Sequence, residues 1–377
     1  MINVILLIDC SGEFDRKLLR GIVRYSNEHG PWQFYRMPSW YRWDENGEEH
    51  ILDWAVKWKA DAIIGRWNSP SAPLLKKLGI PIVLQNYHDR SKDYSTLTGD
   101  YIGTGRMAAD FFIKRRFSRF AYFGLKDVIW SEERLQGFAE QVGRIGGSLS
   151  TLMIDVPENE ARGQIARWLH TLTGPVAMFC CSDSHALIIS EICNLEGIRI
   201  PEQVALLGVD NDDLLCEFAT PPLSSIQPDH ERAGYIAAQE LNALMTHRAR
   251  KPRTLVCPVI GIVERESTRP LTPAAHIVRR ALEFIKANAA KGIGVKDVVA
   301  HLKISRRLAD LRFREIEGRS ILQTIETRRL ELAERALTET ERPVKAVARE
   351  SGYRNVKTFE AAFRRKHGLS PSAFRKR

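Results

Sequence analysis

The chain has 377 residues, of which 44% are hydrophobic and 27% are charged. This composition is typical of globular proteins and excludes collagen-like and disordered chains, and the length predicts two or three compact domains. The formal net charge of +10 is unevenly distributed, because residues 273–377 carry 25 Lys and Arg against 12 Asp and Glu, whereas residues 1–272 carry 31 against 34. A mildly acidic part of net charge −3 therefore precedes a strongly basic part of net charge +13.

The first residues and the six cysteines indicate a reducing compartment. Residues 1–9 form one short apolar run without a basic leader, which predicts a first β-strand rather than a signal peptide. No apolar segment approaches the roughly 20 residues of a membrane helix, so we expect a cytoplasmic protein. The cysteines lack the CxxC and His spacing of zinc sites, and we expect no metal, no disulfide framework and no cofactor.

Short apolar runs alternate with helical patterns in the first 272 residues. Residues 4–8 predict a strand, and residues 14–25 place their apolar side chains at helical spacing. Further strands are predicted at residues 62–65, 81–84, 120–123, 177–180 and 204–207. Apolar strands that alternate with helices predict parallel sheets covered on both faces, with ligands bound at the carboxyl ends of the strands.

The side chains that follow the predicted strands are carboxylates, amides, arginine and tryptophan. They are Asp9, Arg66, Trp67, Gln85, Asn86, Ser182, Asp183 and Asp210. Carboxylates and guanidinium groups bind sugar hydroxyls, and an indole packs on the C–H face of a sugar ring, so the set suits a neutral polyhydroxylated ligand. For any single residue, capping of the next helix is an equally good explanation. Most of the early tryptophans, which include Trp32, Trp40, Trp43, Trp54 and Trp58, are expected in the core.

Six segments in chain order resemble the LacI-type periplasmic-binding-protein sensor domain. They are residues 99–109, 134–138, 182–186, 197–210, 222–226 and 263–268. The resemblance covers residues 1–268 and implies an α/β sensor of two lobes with a sugar in the cleft between them. It implies ligand contacts by Arg134, Asp183 and Asp210. Asp9 at the end of the first strand and Arg16 in the segment 14–16 are two further candidate ligand contacts. Many members of the family have Asn where this chain has Ser182.

Residues 273–377 contain an internal repeat. Residues 305–318 align without gaps to residues 355–368, and the alignment pairs Phe313 with Phe363 and Gly318 with Gly368. Each copy predicts a helix, a tight turn and a second helix, over residues 294–318 and 343–368. Ser305 and Asn355 are N-cap residue types at the start of the second helices. The pattern indicates two helix-turn-helix motifs, whose second helices enter the major groove of DNA.

A linking helix is predicted over residues 320–340, although Arg328 and Arg329 interrupt its apolar period. About 20 residues would span about 30 Å, close to the roughly 34 Å of one DNA turn, so two recognition helices could reach successive major grooves. The net charge of +13 supplies attraction to phosphates and predicts a steep salt dependence of DNA binding.

The C-terminal region resembles the AraC/XylS family over residues 276–377, which implies an all-α DNA-binding domain after a linker at residues 269–275. The candidate base-reading residues are Arg306, Arg307, Asp310, Asn355, Lys357, Thr358 and Glu360. Arg312, Arg354, Arg364 and Arg365 are candidates to position phosphates, and Ser305 is a further candidate for DNA contact. The family often has a base-reading Arg one turn into each second helix, where this chain has Leu311 and Ala361. Phe313, Phe359 and Phe363 are expected in the small cores.

A sensor followed by an AraC-type domain is similar to activators of pentose utilisation. The resemblance implies a pentose effector, specifically D-xylose, operator DNA and RNA polymerase as partners, and a homodimer. We hypothesise that the sugar closes the two lobes and shifts the population of dimers that bind half-sites. The size of that shift is bounded by the sugar's differential affinity for the two states.

Two alternatives come from other classes. A regulator could sense a sugar phosphate or another small molecule, which a strongly basic cleft would favour. An enzyme such as a sugar kinase or dehydrogenase is the second alternative, but Gly99, Gly103 and Gly105 match neither the GxGxxG nor the GxxxxGK[ST] pattern. No nucleophile set or paired acid and base can be assembled from the sequence, so we expect no catalytic activity.

Overall fold

The computed structural model describes residues 1–10, 12–37, 47–67, 75–86, 92–155, 158–246, 251–269 and 273–375. The chain forms two compact units, Met1–Pro270 and Leu271–Arg377. Trp40 and Trp43 lie outside the described residues.

The first unit contains two six-stranded sheets, and the first of these is parallel throughout. Its strands are β1 (Ile2–Leu7), β2 (Trp32–Arg36), β3 (Ala62–Trp67), β4 (Ile82–Asn86), β5 (Ser95–Gly99) and β11 (Thr254–Cys257). Their order is β11-β5-β4-β3-β1-β2. The interior strand β1 is buried from Val4 to Leu7, which explains its unbroken apolar run, because both of its faces are covered.

The second sheet has the same size and a comparable order. Its strands are β6 (Arg119–Leu125), β7 (Ser148–Ile154), β8 (Val176–Cys180), β9 (Val204–Val209), β10 (Ser224–Pro228) and β12 (Val259–Val263). The order is β12-β10-β9-β8-β6-β7, and the edge strand β12 runs antiparallel to β10 while the other pairs are parallel.

Eight α-helices and a short 3₁₀ turn at Lys76–Leu78 are described around these sheets. They are α1 (Glu13–His29), α2 (Gly47–Lys57), α3 (Tyr101–Lys114), α4 (Ile129–Arg144), α5 (Glu158–Thr171), α6 (Asp183–Leu195), α7 (Asp213–Phe218) and α8 (His230–Met245). Helices α1 and α8 approach closely at two glycines. A Cβ atom at Gly21 would lie 1.9 Å from the Glu231 carbonyl oxygen, and one at Gly234 would lie 1.9 Å from that of Leu18.

The chain passes between the two sheets three times, and this divides the first unit into two lobes. The passages follow β5, β10 and β11, at residues 99–101, 228–230 and 257–259. Helices α1, α2 and α8 pack on the first sheet and form the first lobe. Helices α3 to α7 pack on the second sheet and form the second lobe. The parallel sheets and the two lobes confirm the predicted sensor fold.

The second unit is helical in all the residues that the structure describes. Its helices are α9 (Pro273–Asn288), α10 (Val295–Leu302), α11 (Arg306–Glu317), α12 (Ile321–Glu339), α13 (Val344–Glu350), α14 (Val356–His367) and α15 (Pro371–Arg375), with a 3₁₀ turn at Ala289–Lys291. Two small cores hold it together. Phe313 is buried in the first, and Phe359 and Phe363 in the second, as predicted.

The recognition helices α11 and α14 begin and end as the repeat predicts. The Ser305 hydroxyl accepts the Leu308 N–H at 3.3 Å, and Asn355 Oδ1 accepts the Lys357 N–H at 2.8 Å. Each helix stops at a glycine in the left-handed region, where a side chain would be strained. The predicted fold class, a two-lobed α/β sensor followed by an all-α region with two helix-turn-helix motifs, is confirmed.

No helix in the described part of the chain is both long enough and apolar enough to cross a membrane.

Candidate ligand-binding cleft and DNA-binding surface

A cleft of about 270 Å³ lies between the two lobes of the first unit. All three passages contribute to its wall, through residues such as Tyr101, His230 and Cys257. The first lobe adds Phe14, Asp15, Arg66 and Gln85, and the second adds Trp130, Arg134, Ser182, Ser184, His185 and Asp210. The cleft lies at the carboxyl ends of the strands, where open parallel sheets bind ligands. This volume is slightly below the ~300–1,000 Å³ typical of ligand pockets, which suits a small molecule.

Arg134 is a buried cation in the cleft wall. Its side chain projects from α4 and is 5% exposed. One guanidinium nitrogen donates to the Cys181 carbonyl oxygen, and the guanidinium carbon lies 5.2 Å from the centre of the Tyr101 ring and 5.4 Å from that of Trp130. Its buried Nε atom has no hydrogen-bond partner within the described part of the chain. An unsatisfied buried donor is costly, which makes Arg134 a candidate for contact with a ligand in the cleft.

Asp210 follows β9 with a backbone φ of 109°, which is rare for a residue other than glycine. Its Oδ1 atom lies 3.5 Å from Nε2 of the buried His230, whose ring meets Phe14 edge-on at 4.5 Å. Local strain of this kind persists where the surrounding structure holds the residue in place. The carboxylate of Asp210 is therefore held in a fixed position at the cleft wall.

The first lobe contributes an ion pair to the opposite wall. Arg66, at the end of β3, places Nη2 3.4 Å from Oδ1 of Asp15 on α1. The lining residues thus include the cations of Arg66 and Arg134 and the carboxylates of Asp15, Asp100 and Asp210. These described residues give the cleft no excess of positive charge.

Asp183 lies behind the cleft wall and is not among the described lining residues. Its Oδ1 accepts the Ser225 hydroxyl at 2.7 Å, and its Oδ2 accepts the Asp212 N–H at 2.9 Å. Burial, and then the charge of Asp210, raise the pKa of Asp183 well above its usual value. The structure therefore surrounds Asp183 with protein donors, and its neighbours Ser182 and His185 face the cleft instead.

Asp9 and Arg16 also lie outside the described lining of the cleft. Oδ1 of Asp9 accepts the Cys10 N–H at 2.7 Å, and Nη1 of Arg16 donates to the Cys10 carbonyl oxygen at 3.2 Å. Both residues thus contact the segment that joins β1 to α1. The side chains of Trp67 and Asn86 lie outside the described part of the structure.

Several aromatic and histidine side chains of the cleft were not predicted from the sequence. Trp130 and His185 have ring centres 6.4 Å apart in the second lobe, and Tyr101 and His230 stand on two of the passages. Burial is the main cause that lowers the pKa of His185 to about 4, so this ring is neutral near pH 7. A helical pattern that follows a strand was the available signal for Tyr101 and Trp130, which lie in the first turns of α3 and α4.

Polar contacts join the lobes beside the cleft. The Glu13 N–H donates to Oδ2 of Asp212 at 3.3 Å, and the Asp213 N–H donates to Oε2 of Glu13 at 2.7 Å. Lys17 pairs with Glu13 at 2.9 Å and donates to the Asn211 carbonyl oxygen at 3.4 Å. Glu13 and Asp213 are the first residues of α1 and α7, so each lobe supplies a carboxylate to a helix N-terminus of the other. We call Glu13, Lys17, Asp212 and Asp213 the inter-lobe clasp.

The candidate DNA-contacting residues lie on or beside the two recognition helices. Among those of α11, Arg306 pairs with Asp310 at 3.5 Å and Arg312 with Glu315 at 2.8 Å, and Arg307 is exposed. At α14, the side chains of Arg354, Asn355, Lys357 and Thr358 are exposed and Glu360 is half-buried. Leu311 and Ala361, at the positions where the related family often has arginine, are exposed as well.

Two family models match the chain. The periplasmic binding protein-like domain matches residues 109–268, and the helix-turn-helix domain matches residues 298–377. The second match includes both recognition helices, whose geometry is described above. The chain is a DNA-binding transcription regulator that combines a periplasmic-binding-protein-like domain with an AraC-type helix-turn-helix domain. This confirms the two domain types that the sequence motifs indicated.

The regulator is similar in sequence to the xylose operon regulatory protein of Escherichia coli strain K12, with 27% identity over 99% of this chain and 96% of that protein. The xylose operon regulatory protein of Haemophilus influenzae is 24% identical over 99% of this chain and 98% of its own length. The solved structure of a xylose-binding transcription activator superposes with a TM-score of 0.63 at 23% identity, covering 99% of this chain and 97% of that one. These relatives are transcription regulators, in agreement with the prediction that the chain is not an enzyme.

Proposed function

We propose that the regulator binds D-xylose in the cleft between its lobes and activates sugar-utilisation genes in the cytoplasm. The observation that carries the proposal is the buried guanidinium of Arg134, which lines the same cleft as the Asp210 carboxylate and has one donor without a protein partner in the described residues. A sugar with neighbouring hydroxyls can accept from the first and donate to the second. The names of the sequence relatives, which are regulators of xylose operons, support a pentose as the ligand.

Three features of the cleft support a neutral monosaccharide. The volume of about 270 Å³ leaves little space for a disaccharide. Three described carboxylates oppose two arginines, so the phosphate of a sugar phosphate would meet no excess of positive charge. The Trp130 indole, which packs beside Arg134, offers an apolar surface to the C–H face of a sugar ring. The alternative of a sugar-phosphate sensor is therefore less well supported.

Arg134 and Asp210 are the proposed direct contacts, and Asp15, Arg66 and His185 are candidates from the cleft wall. Asp183 supports the site from behind through Ser225 and Asp212. Asp9 and Arg16 act through the β1–α1 connection, which leads into the first turn of α1, where Phe14 and Asp15 line the cleft.

The second unit is proposed to read operator DNA with α11 and α14. Their exposed basic and amide side chains suit guanine and adenine edges in the major groove. We propose a homodimer that recruits RNA polymerase, with a sensor at residues 1–268, a linker at 269–275 and a DNA-binding domain at 276–377. Sugar binding would favour the arrangement in which the two lobes are joined, and the dimer would then present its DNA-binding domains differently.

Titration calorimetry with the full chain tests the proposal. D-xylose should bind, and it should raise the melting temperature, because a ligand that binds only the folded state stabilises it. L-arabinose, D-ribose, D-glucose and D-xylose 5-phosphate are the comparison ligands. Fluorescence anisotropy with a duplex selected by the chain should show that D-xylose changes DNA affinity.

The outcomes separate the candidate functions. Tighter binding of D-xylose 5-phosphate than of D-xylose would favour the sugar-phosphate sensor. Consumption of ATP or NAD in the presence of a pentose would favour an enzyme. If no sugar changes either the melting temperature or the DNA affinity, the sensor proposal is wrong.

A further inference from the structure

The linking helix α12 joins two separate cores. Ile321 and Ile325 near its start are buried in the first core, and Leu330, Ala333 and Leu337 are buried in the second. Residues 326–329 between the two sets are polar and only partly buried. A helix held by two independent cores needs further contacts if the cores are to keep one mutual orientation.

Arg329 makes such contacts with the first motif. Its Nη2 atom donates to the Ile293 carbonyl oxygen at 2.6 Å, and its Nε atom donates to that of Ala289 at 3.3 Å. Ile293 directly precedes Gly294, the N-cap of α10, and Ala289 follows the last residue of α9. The planar guanidinium therefore binds two carbonyl groups of one turn, which a lysine ammonium group cannot reproduce with the same geometry.

The same guanidinium contacts the second motif. Its carbon atom lies 5.6 Å from the centre of the Tyr353 ring, and Tyr353 packs on Phe359 of α14 with ring centres 5.2 Å apart. The preceding Gly352 has a φ of 87°, and a Cβ atom there would lie 2.1 Å from the Ala289 carbonyl oxygen. The turn before α14 thus packs closely against the turn before α10, and Arg329 contacts both turns.

We infer that Arg329 is a positioning residue that fixes the two helix-turn-helix motifs in one orientation and so sets the spacing of the DNA segments that α11 and α14 read together. The inference rests on the proposal that these two helices read DNA. When two DNA-binding elements are held rigidly at the right separation, binding of the first raises the effective concentration of the second at its own DNA segment. A loose connection lowers that effective concentration. Arg328 and Arg329 interrupt the apolar period of the linking helix, and of these two residues Arg329 has the positioning function.

The neighbouring residue supplies a matched control. Arg328 pairs with Glu331 of its own helix at 2.9 Å. Arg329→Met and Arg328→Met remove the same group from adjacent positions of α12. Arg329→Lys keeps the positive charge and the helix propensity but loses the two-carbonyl geometry, and it replaces Arg329→Met if that variant fails to fold. Circular dichroism and the melting temperature establish folding for each variant.

DNA binding is measured with the full chain and a duplex selected by the wild type from a random library. A second duplex carries 2 bp inserted between the two segments that footprinting maps, which rotates one groove against the other by about 70°. The wild type and Arg328→Met should bind the inserted duplex at least about tenfold more weakly than the selected one. For Arg329→Met the difference should fall below about threefold, mainly through weaker binding of the selected duplex.

A distance measurement tests the inference without DNA. Nitroxide labels at Leu311→Cys and Ala361→Cys, in a Cys10→Ser background, report the separation of α11 and α14. The distance distribution should be narrow in the wild type and broad in the Arg329 variants. An unchanged distribution together with unchanged spacing dependence would overturn the inference. A wild type without any spacing dependence would instead contradict the proposal that both helices read DNA.

Discussion

The inter-lobe clasp should contribute directly to sugar affinity, and Glu13→Gln tests this. Glu13 accepts the Asp213 N–H at 2.7 Å and pairs with Lys17 at 2.9 Å, and its side chain is 16% exposed. A hydrogen bond to a charged group contributes about 1.5–3 kcal/mol, and partial exposure places this one at the lower end. The glutamine retains a weaker neutral bond, so the change should cost about 1 kcal/mol.

This loss of free energy lowers the affinity for the sugar because the contact joins the two lobes. If sugar binding favours the joined arrangement, a loss of about 1 kcal/mol raises the Kd for D-xylose about fivefold. Calorimetric titration of the full chain measures this value. Glu140→Gln is the matched control, since Glu140 pairs with Arg106 at 2.7 Å within the second lobe. Its Kd should equal that of the wild type.

The pH dependence of binding gives an independent check. Burial acts to raise the pKa of Glu13, but the hydrogen bonds from Lys17 and from the Asp213 N–H outweigh it, and the pKa lies below the ordinary 4.5. A lowered pKa means that the contribution of the carboxylate is complete above pH 4.5 and is lost as the pH falls through the lower value. D-xylose affinity should therefore fall below pH 4.5 more steeply in the wild type than in Glu13→Gln. Equal Kd values for Glu13→Gln and the wild type, or an equal loss in Glu140→Gln, would refute the role of the clasp.

Three further predictions concern single residues. Arg134→Met should weaken D-xylose binding at least about a hundredfold in calorimetry, because it removes the buried guanidinium that lines the cleft, and it should lower the melting temperature of the sugar-free protein only slightly, because loss of the bond to the Cys181 carbonyl is offset by removal of a buried charge whose Nε–H has no partner in the described residues. In the native protein Ellman's reagent should react rapidly with Cys10 alone, because the other five cysteines are buried. Burial also raises the pKa of a thiol, for example that of Cys193 to about 12. Rapid reaction of two or more thiols would contradict this prediction. Ser305→Ala should cost about 1 kcal/mol of unfolding free energy through loss of the α11 cap, whereas an unchanged urea midpoint would show that the cap is dispensable.

The apolar runs predicted the buried strands that are apolar throughout, but they did not predict the buried strands that contain polar residues. β1 and β8 are buried on both faces and read as continuous hydrophobic segments. β5 and β10 are equally buried but begin with serines, whose hydroxyl groups are satisfied by distant partners. Ser95 donates to Glu240 at 2.8 Å and Ser225 to Asp183 at 2.7 Å. Such partners lie 145 and 42 residues away in sequence, so no local pattern can reveal the strand.

The cleft was predictable in position but only partly in composition. Sheet topology requires that side chains after parallel strands converge, and Arg66 and Asp210 do so. Which of two adjacent side chains faces the cleft depends on the local backbone, and at the start of α6 it is Ser182 rather than Asp183 that does. The aromatic part of the wall comes from helix starts and from the passages between the lobes, and its convergence depends on the arrangement of the two lobes.

Asp183 connects the cleft with the clasp. Its carboxylate holds the Asp212 N–H at 2.9 Å, while Oδ2 of Asp212 accepts the Glu13 N–H of the other lobe at 3.3 Å. Asp210, which faces the cleft, lies two residues before Asp212 in a backbone held at positive φ. A displacement of this short segment on sugar binding would therefore move both the ligand contact and the inter-lobe contact. The residue that the sequence suggested as a ligand contact thus anchors the segment through which ligand binding and lobe closure can be coupled.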